Sequence, residues 1–72
     1  MKKIKKIKIR VNGKVKMVAQ NASLLNLAIS LKIPLKKVAI ELNQEIVNKK
    51  KLIKINLKNN DKIEIVHFIG GG

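Results

Sequence analysis

Seventy-two residues make one small domain, and a chain of this size buries only about 60% of its unfolded surface, so its stability margin is thin. With no cysteine, disulfides, thiolate metal sites and iron–sulfur clusters are excluded, and the 46% of apolar residues must supply the core. The formal net charge of +13 comes from 17 Lys and Arg against Glu41, Glu45, Asp61 and Glu64; it raises the question of nucleic acid, an anionic membrane or an acidic protein as partner.

The character of the charge argues against a nucleic-acid footprint. The basic residues are spread from Lys2 to Lys62 and all but Arg10 are lysines, whereas bidentate phosphate and base contacts favour Arg. The one aromatic residue, Phe68, offers no platform for stacking bases. A solvated surface is the better reading. No apolar run reaches the roughly 18–20 residues that span a bilayer, and the basic Met1-Lys2-Lys3 start is not followed by a signal-peptide apolar stretch, because Lys5, Lys6 and Lys8 interrupt it. The expected location is the cytoplasm, with no membrane partner.

In chain order, residues 7–17 read as a hairpin. Ile7, Ile9 and Val11 alternate with Lys6, Lys8 and Arg10, and Asn12-Gly13 is a turn signal. A two-residue loop would set Arg10 opposite Val15 and mix charge with apolar groups. A bulged three-residue loop over 11–13 pairs Ile9 with Val15 and Ile7 with Met17, sends Lys14 and Lys16 to solvent, and is the expected register.

Ser23 is the expected N-cap of a helix of about eight to ten residues. Asn26 stands where a capping box has Glu or Gln, so no box is expected. Leu24, Leu27, Ala28 and Leu31 share a face at helical spacing, widened by Leu25 and Ile29, and the helix must stop before Pro34. Val38, Ile40 and Leu42 mark a third strand, and Asn43-Gln44 turns it into a short partner, Glu45-Ile46-Val47. Residues 48–51 read as a solvated lysine loop. Leu52, Ile53, Ile55 and Leu57 add core, Asn59-Asn60-Asp61 is a turn, and residues 62–68 form the last strand.

One helix across one face of a mixed four- to five-stranded sheet fits this order, an α+β domain. With the first and last strands side by side and parallel in the centre, it is the β-grasp, ubiquitin-like arrangement. The expected division is a β-grasp domain over 1–68 and a flexible glycine tail over 69–72.

An enzyme needs converging groups, and this chain has one His, no Cys, no Tyr and four scattered carboxylates. Nothing in the sequence brings His67 near Ser23 or Ser30. No metal-ligand spacing appears, and the sole glycine cluster is terminal. No catalytic residue, metal or bound cofactor is therefore expected. Gly70-Gly71-Gly72 cannot pack, but no Cβ obstructs the terminal carboxylate. From Phe68, four extended residues reach about 13–14 Å, enough to enter another protein's active site. A carboxylate is a poor acyl electrophile; ATP-dependent adenylation would give it a leaving group, and a sulfur nucleophile could then make it a thiocarboxylate.

The run Val38-Ala39-Ile40-Glu41-Leu42-Asn43-Gln44-Glu45-Ile46-Val47 and the ending Ile63-Glu64-Ile65-Val66-His67-Phe68-Ile69-Gly70-Gly71-Gly72 resemble the ThiS family, the sulfur carriers of thiamine biosynthesis. The opening Ile9-Arg10-Val11-Asn12-Gly13 and the Ser23-Leu24-Leu25 helix start are also similar. The resemblance implies a ubiquitin-like fold and a carrier, not an enzyme. The Gly72 carboxylate would be adenylated and thiolated, and its sulfur passed to thiazole synthase. Gly70 and Gly71 would form the flexible strip. The implied partners are an adenylating enzyme related to those that charge ubiquitin, which uses ATP and Mg²⁺, thiazole synthase, and a sulfur donor such as a cysteine desulfurase. Phe68 and Ile69 are the candidate partner contacts; the competing reading has Phe68 close the core edge. The heavy positive charge is not a family requirement, and Asn59-Asn60-Asp61 replaces an expected Gly-containing turn. A molybdopterin-type carrier, a ubiquitin-like protein modifier and, from another class, a basic nucleic-acid-binding module remain the alternatives.

Overall fold

The computed structural model describes residues 5–68, so Met1-Lys2-Lys3-Ile4 at one end and Ile69 with the terminal glycines at the other lie outside the described residues. Five strands, β1 (Lys6–Val11), β2 (Lys14–Ala19), β3 (Val38–Leu42), β4 (Glu45–Ile46) and β5 (Lys62–His67), form one sheet in the order β2-β1-β5-β3-β4. β1 and β5 are parallel neighbours, as expected, and the other pairings are antiparallel. Helix α1 (Leu24–Ser30) packs on one face. This is the β-grasp arrangement.

The core lies between sheet and helix. Ile9, Val38, Ile40 and Ile63 project from the three central strands and meet Leu24 and Leu27 of α1, together with Leu52 and Leu57 from the long connection before β5. Burying each such side chain stabilises the fold by about 1.5–3 kcal/mol. Among the residues expected inside, Ile29 and Ile53 are both 63% exposed, so the apolar face of the helix stops short of Ile29.

The hairpin register expected from the sequence is corrected. Val11 pairs with Lys14, Arg10 with Val15 and Ile9 with Lys16, leaving the two-residue loop Asn12-Gly13. Their φ angles, 50° and 83°, are both positive, the signature of a type I′ turn, whose twist matches that of the strands it joins. Turn chemistry overrides apolar alternation here because β2 is an edge strand. Val15 and Met17 stand opposite Arg10 and Lys8 on the uncovered face and remain more than half exposed. Lys16 takes the covered-face place opposite Ile9 and is half-buried, which its apolar methylene stem permits.

The helix is shorter than expected, seven residues, and its start is more completely capped. Ser23 Oγ accepts from the Asn26 N–H at 3.0 Å, and Asn26 Oδ1 accepts from the Ser23 N–H at 3.1 Å. The capping box judged absent is therefore present: the Asn amide carries the same acceptor oxygen as Gln, and one methylene less still reaches. Leu24 N–H donates to Ile55 O and Leu57 N–H to Ala22 O, both at 2.8 Å, tying the helix entry to the connection that carries Leu52. At the other end Lys32 adopts φ 56°, with Lys32 N–H bonded to Ile29 O and Ile33 N–H to Ala28 O. This pair of bonds is a Schellman stop, ending the helix before Pro34 with Lys where Gly is usual.

The lysine stretch after β4 is not a plain solvated loop, as expected, but a 3₁₀ segment, Lys49–Lys54, capped by Asn48 Oδ1 accepting from the Lys50 N–H at 2.9 Å. Its periodicity turns Leu52 into the core while Lys50 and Lys51 stay exposed. The turn before β5 forms without glycine, since Asn60 itself takes φ 72°.

Candidate functional site

The predicted site residues sit at or beyond the end of β5. Gly70, Gly71, Gly72 and Ile69 lie outside the described residues; Phe68 is the last residue inside them. The described part of the site is therefore the end of β5 and its neighbours.

At its start β5 is held on both sides. Arg10 and Val11 of β1 stand beside Lys62 and Ile63, and Leu42 of β3 stands on the other side of Ile63. Backbone bonds from Arg10 N–H to Asp61 O and from Asn12 N–H to Ile63 O, both 2.9 Å, close the parallel ladder. The chain then turns away at Asn12-Gly13, and β1 can offer no further rung. The Asn12 side chain supplies one. Its Oδ1 accepts from the Ile65 N–H at 2.7 Å and its Nδ2 donates to Ile65 O at 3.3 Å. A primary amide carries the same donor and acceptor as a peptide unit, so it substitutes for one residue of strand.

On the opposite side β3 follows β5 to its end. Ala39 pairs with Val66 and Val38 with His67, and the Phe68 N–H donates to Lys37 O at 2.9 Å, one rung past the strand proper. The Phe68 ring lies 5.3 Å from Lys49 Nζ, within cation–π range. Lys49 Nζ also donates to Leu35 O at 2.7 Å. Phe68 is 54% exposed and stands outside the core cluster, so it does not close the core edge; Val66, at 53%, is exposed beside it.

The arrangement holds no catalytic constellation among the described residues. Ser23 Oγ is committed to the helix cap and Ser30 Oγ donates to Leu27 O at 2.8 Å. Asp61 accepts from the Lys58 N–H at 2.7 Å and from Asn43 Nδ2 at 3.0 Å, which occupies it in the turn before β5. His67 is exposed on the last strand. No three His, Cys, Asp or Glu residues converge to hold a metal ion among the described residues, and no helix there is long and apolar enough to cross a membrane. Sequence reasoning reads Asn12 as a turn residue and Lys49 as part of a lysine loop, and assigns neither a role at the end of β5. Asn12 had a usable signal, its place in an Asn-Gly turn; Lys49, inside a run of lysines, had none.

The comparisons agree with this geometry. The family model described as the ThiS family matches residues 5–72. The sulfur carrier protein ThiS of Bacillus subtilis (strain 168) is 38% identical over 65 residues, an alignment covering 89% of this chain and 98% of that protein. A thiazole synthase of Magnetococcus marinus is 36% identical over 66 residues; the match covers 92% of this chain but only 20% of that longer protein. Among solved structures, the crystal structure of thiamine biosynthesis protein ThiS from Geobacter metallireducens superposes with a TM-score of 0.80 at 30% identity, covering 92% of this chain and all of that one. With the parallel β1–β5 pair, the single helix and the match running through the terminal glycines, this chain belongs to the ThiS family, the sulfur carriers of thiamine biosynthesis.

Proposed function

We propose that the Gly72 carboxylate is the cargo site of this carrier, presented by residues 69–72 from a β-grasp body. A carboxylate oxygen attacks the α-phosphorus of ATP on a separate, Mg²⁺-dependent adenylating enzyme; pyrophosphate leaves and an acyl adenylate forms. A sulfur nucleophile at the oxidation level of hydrosulfide then attacks the carbonyl, AMP leaves, and the terminus becomes a thiocarboxylate. In the cell a donor such as a cysteine desulfurase would supply the sulfur, in the cytoplasm, as an enzyme-bound persulfide; a thiol reductant cleaves its S–S bond, ending as a disulfide and bringing the transferred sulfur to the hydrosulfide level. Thiazole synthase consumes it, and hydrolysis returns the carboxylate. The carrier contributes no acid, base or cofactor of its own. Its part is a recognisable body and an end without side chains, which a narrow channel can admit.

The observation that carries this reading is the reach of the family match, which runs through Gly72 and so includes the glycine ending. Two thiazole synthases whose own chains include a segment similar to this one support that enzyme as the sulfur acceptor. In this reading Phe68, which is exposed, and its neighbour Ile69 make the contact with whichever enzyme receives the ending.

The test is intact-mass spectrometry of the chain after incubation with ATP, Mg²⁺, a sulfide source and an adenylating enzyme. Replacement of one terminal oxygen by sulfur is expected, and a chain bearing one extra residue after Gly72 should fold but remain uncharged. Normal charging of the extended chain would overturn the mechanism. Sulfur delivery into a thiazole rather than a dithiolene product distinguishes this carrier from the molybdopterin type.

A further inference from the structure

Three separate pieces of chain meet around Phe68. Its N–H is bonded to Lys37 O, at the end of the 3₁₀ turn Leu35–Lys37 that leads into β3. Its ring faces Lys49 Nζ at 5.3 Å, and the same ammonium is fixed at 2.7 Å by Leu35 O. A surface lysine ordinarily samples many rotamers, and a lone cation–π contact does not overcome that freedom. Here the charge-assisted bond to Leu35 O holds the head group, and the Asn48 side chain caps the turn from which Lys49 springs. The aromatic contact is thus made to a cation already held in place.

We infer that Lys49 is a positioning residue for the acyl end: by holding Phe68 against the 35–37 turn it fixes where the tether leaves the body, and so sets the tether at the four residues 69–72. The inference rests on the reading of Gly72 as the cargo site. Without the clamp, Phe68 is freed from the body, the departure point retreats to the Val38–His67 pair, and the tether gains one residue, roughly 3.3–3.6 Å when extended. A tethered group reacts fastest when its length matches the span it must bridge, and a longer, freer tether lowers its effective concentration at the reacting centre. Docking through the rest of the body is left intact. The effect therefore falls on turnover in the docked complex rather than on its formation.

Two measurements test this. Pyrophosphate release by an adenylating enzyme that charges the unaltered chain is followed against carrier concentration. Lys49→Met is expected to lower kcat about three- to tenfold, equivalent to about 0.6–1.4 kcal/mol, with KM within about twofold of the original. Lys49→Arg, which keeps a cation and a donor, restores kcat. Phe68→Leu, which also alters a surface offered to the enzyme, is read for kcat alone and gives a similar loss, and the double variant Lys49→Met/Phe68→Leu has a kcat no lower than that of the worse single variant, because both remove the same contact. Independently of any enzyme, amide hydrogen exchange at Phe68 should accelerate in Lys49→Met while the Ile65 amide keeps its protection. In Lys49→Met, unchanged exchange at Phe68 or a rise in KM with kcat preserved would overturn the inference, and so would additive losses of kcat in the double variant. Failure of the unaltered chain to be adenylated at all would instead refute the cargo-site reading, and the exchange result would still decide whether the clamp exists.

Discussion

The two ends of β5 are built to opposite specifications. At its start, Ile63 is fully buried between β1 and β3, and the turn before it is laced by Asn43, Asn59 and Asp61 side chains. At its finish, Val66 and Phe68 are more than half exposed, β3 alone continues the ladder, and the β1 side is closed by one asparagine side chain. Within six residues, one strand passes from the centre of the core to the edge of the molecule. A carrier gains from this gradient. The body can remain folded while the end of the strand is engaged by another protein, because few core contacts depend on that end.

The contrast can be attacked from its strong side first. Ile63→Ala should destabilise the domain by about 2–5 kcal/mol, much of what so small a fold possesses, and urea unfolding should show a largely unfolded population in water. Asp61→Ala removes the acceptor of the Lys58 N–H and of Asn43 Nδ2; a loss of about 1.5 kcal/mol is expected by the same measurement. Asn12→Gly keeps the left-handed turn but deletes the side-chain rung; about 1 kcal/mol should be lost, with faster amide exchange at Ile65 and little change at Ile63. Val66→Ser, on the exposed end, should shift stability by less than about 0.5 kcal/mol. A loss at Val66 comparable to that at Ile63 would erase the distinction between the two ends.

Much of this was legible in the sequence because local and global signals agreed. The alternation in residues 38–42, the Ser23 cap, the Pro34 limit and the Asn43-Gln44 and Asn59-Asn60-Asp61 turns each became the expected feature. The hairpin misled because two signals conflicted. Val15 and Met17 alternate like core residues, yet Asn12-Gly13 demands a tight loop; the turn prevails because an edge strand tolerates exposed apolar side chains. The clamp at Phe68 could not be read in advance. Lys49, Lys50 and Lys51 are chemically identical along the chain, and only the 3₁₀ geometry and the position of Leu35 O single one of them out. The Asn26 side of the capping box is hidden in the sequence because residue type alone does not show that the shorter amide carries its oxygen within reach of the Ser23 N–H.

The left-handed backbone positions have a consequence for the denatured chain. Asn12, Asn21, Lys32, Asn43, Gln44 and Asn60 all adopt positive φ, a conformation most proteins assign to glycine, and Gly13 is the one glycine found there among the described residues. Side chains in that region cost of order 1 kcal/mol each in the native state, with asparagine the most tolerant of them. The same side chains narrow the range of shapes open to the chain before it folds, so part of that penalty is returned as a smaller entropy loss on ordering.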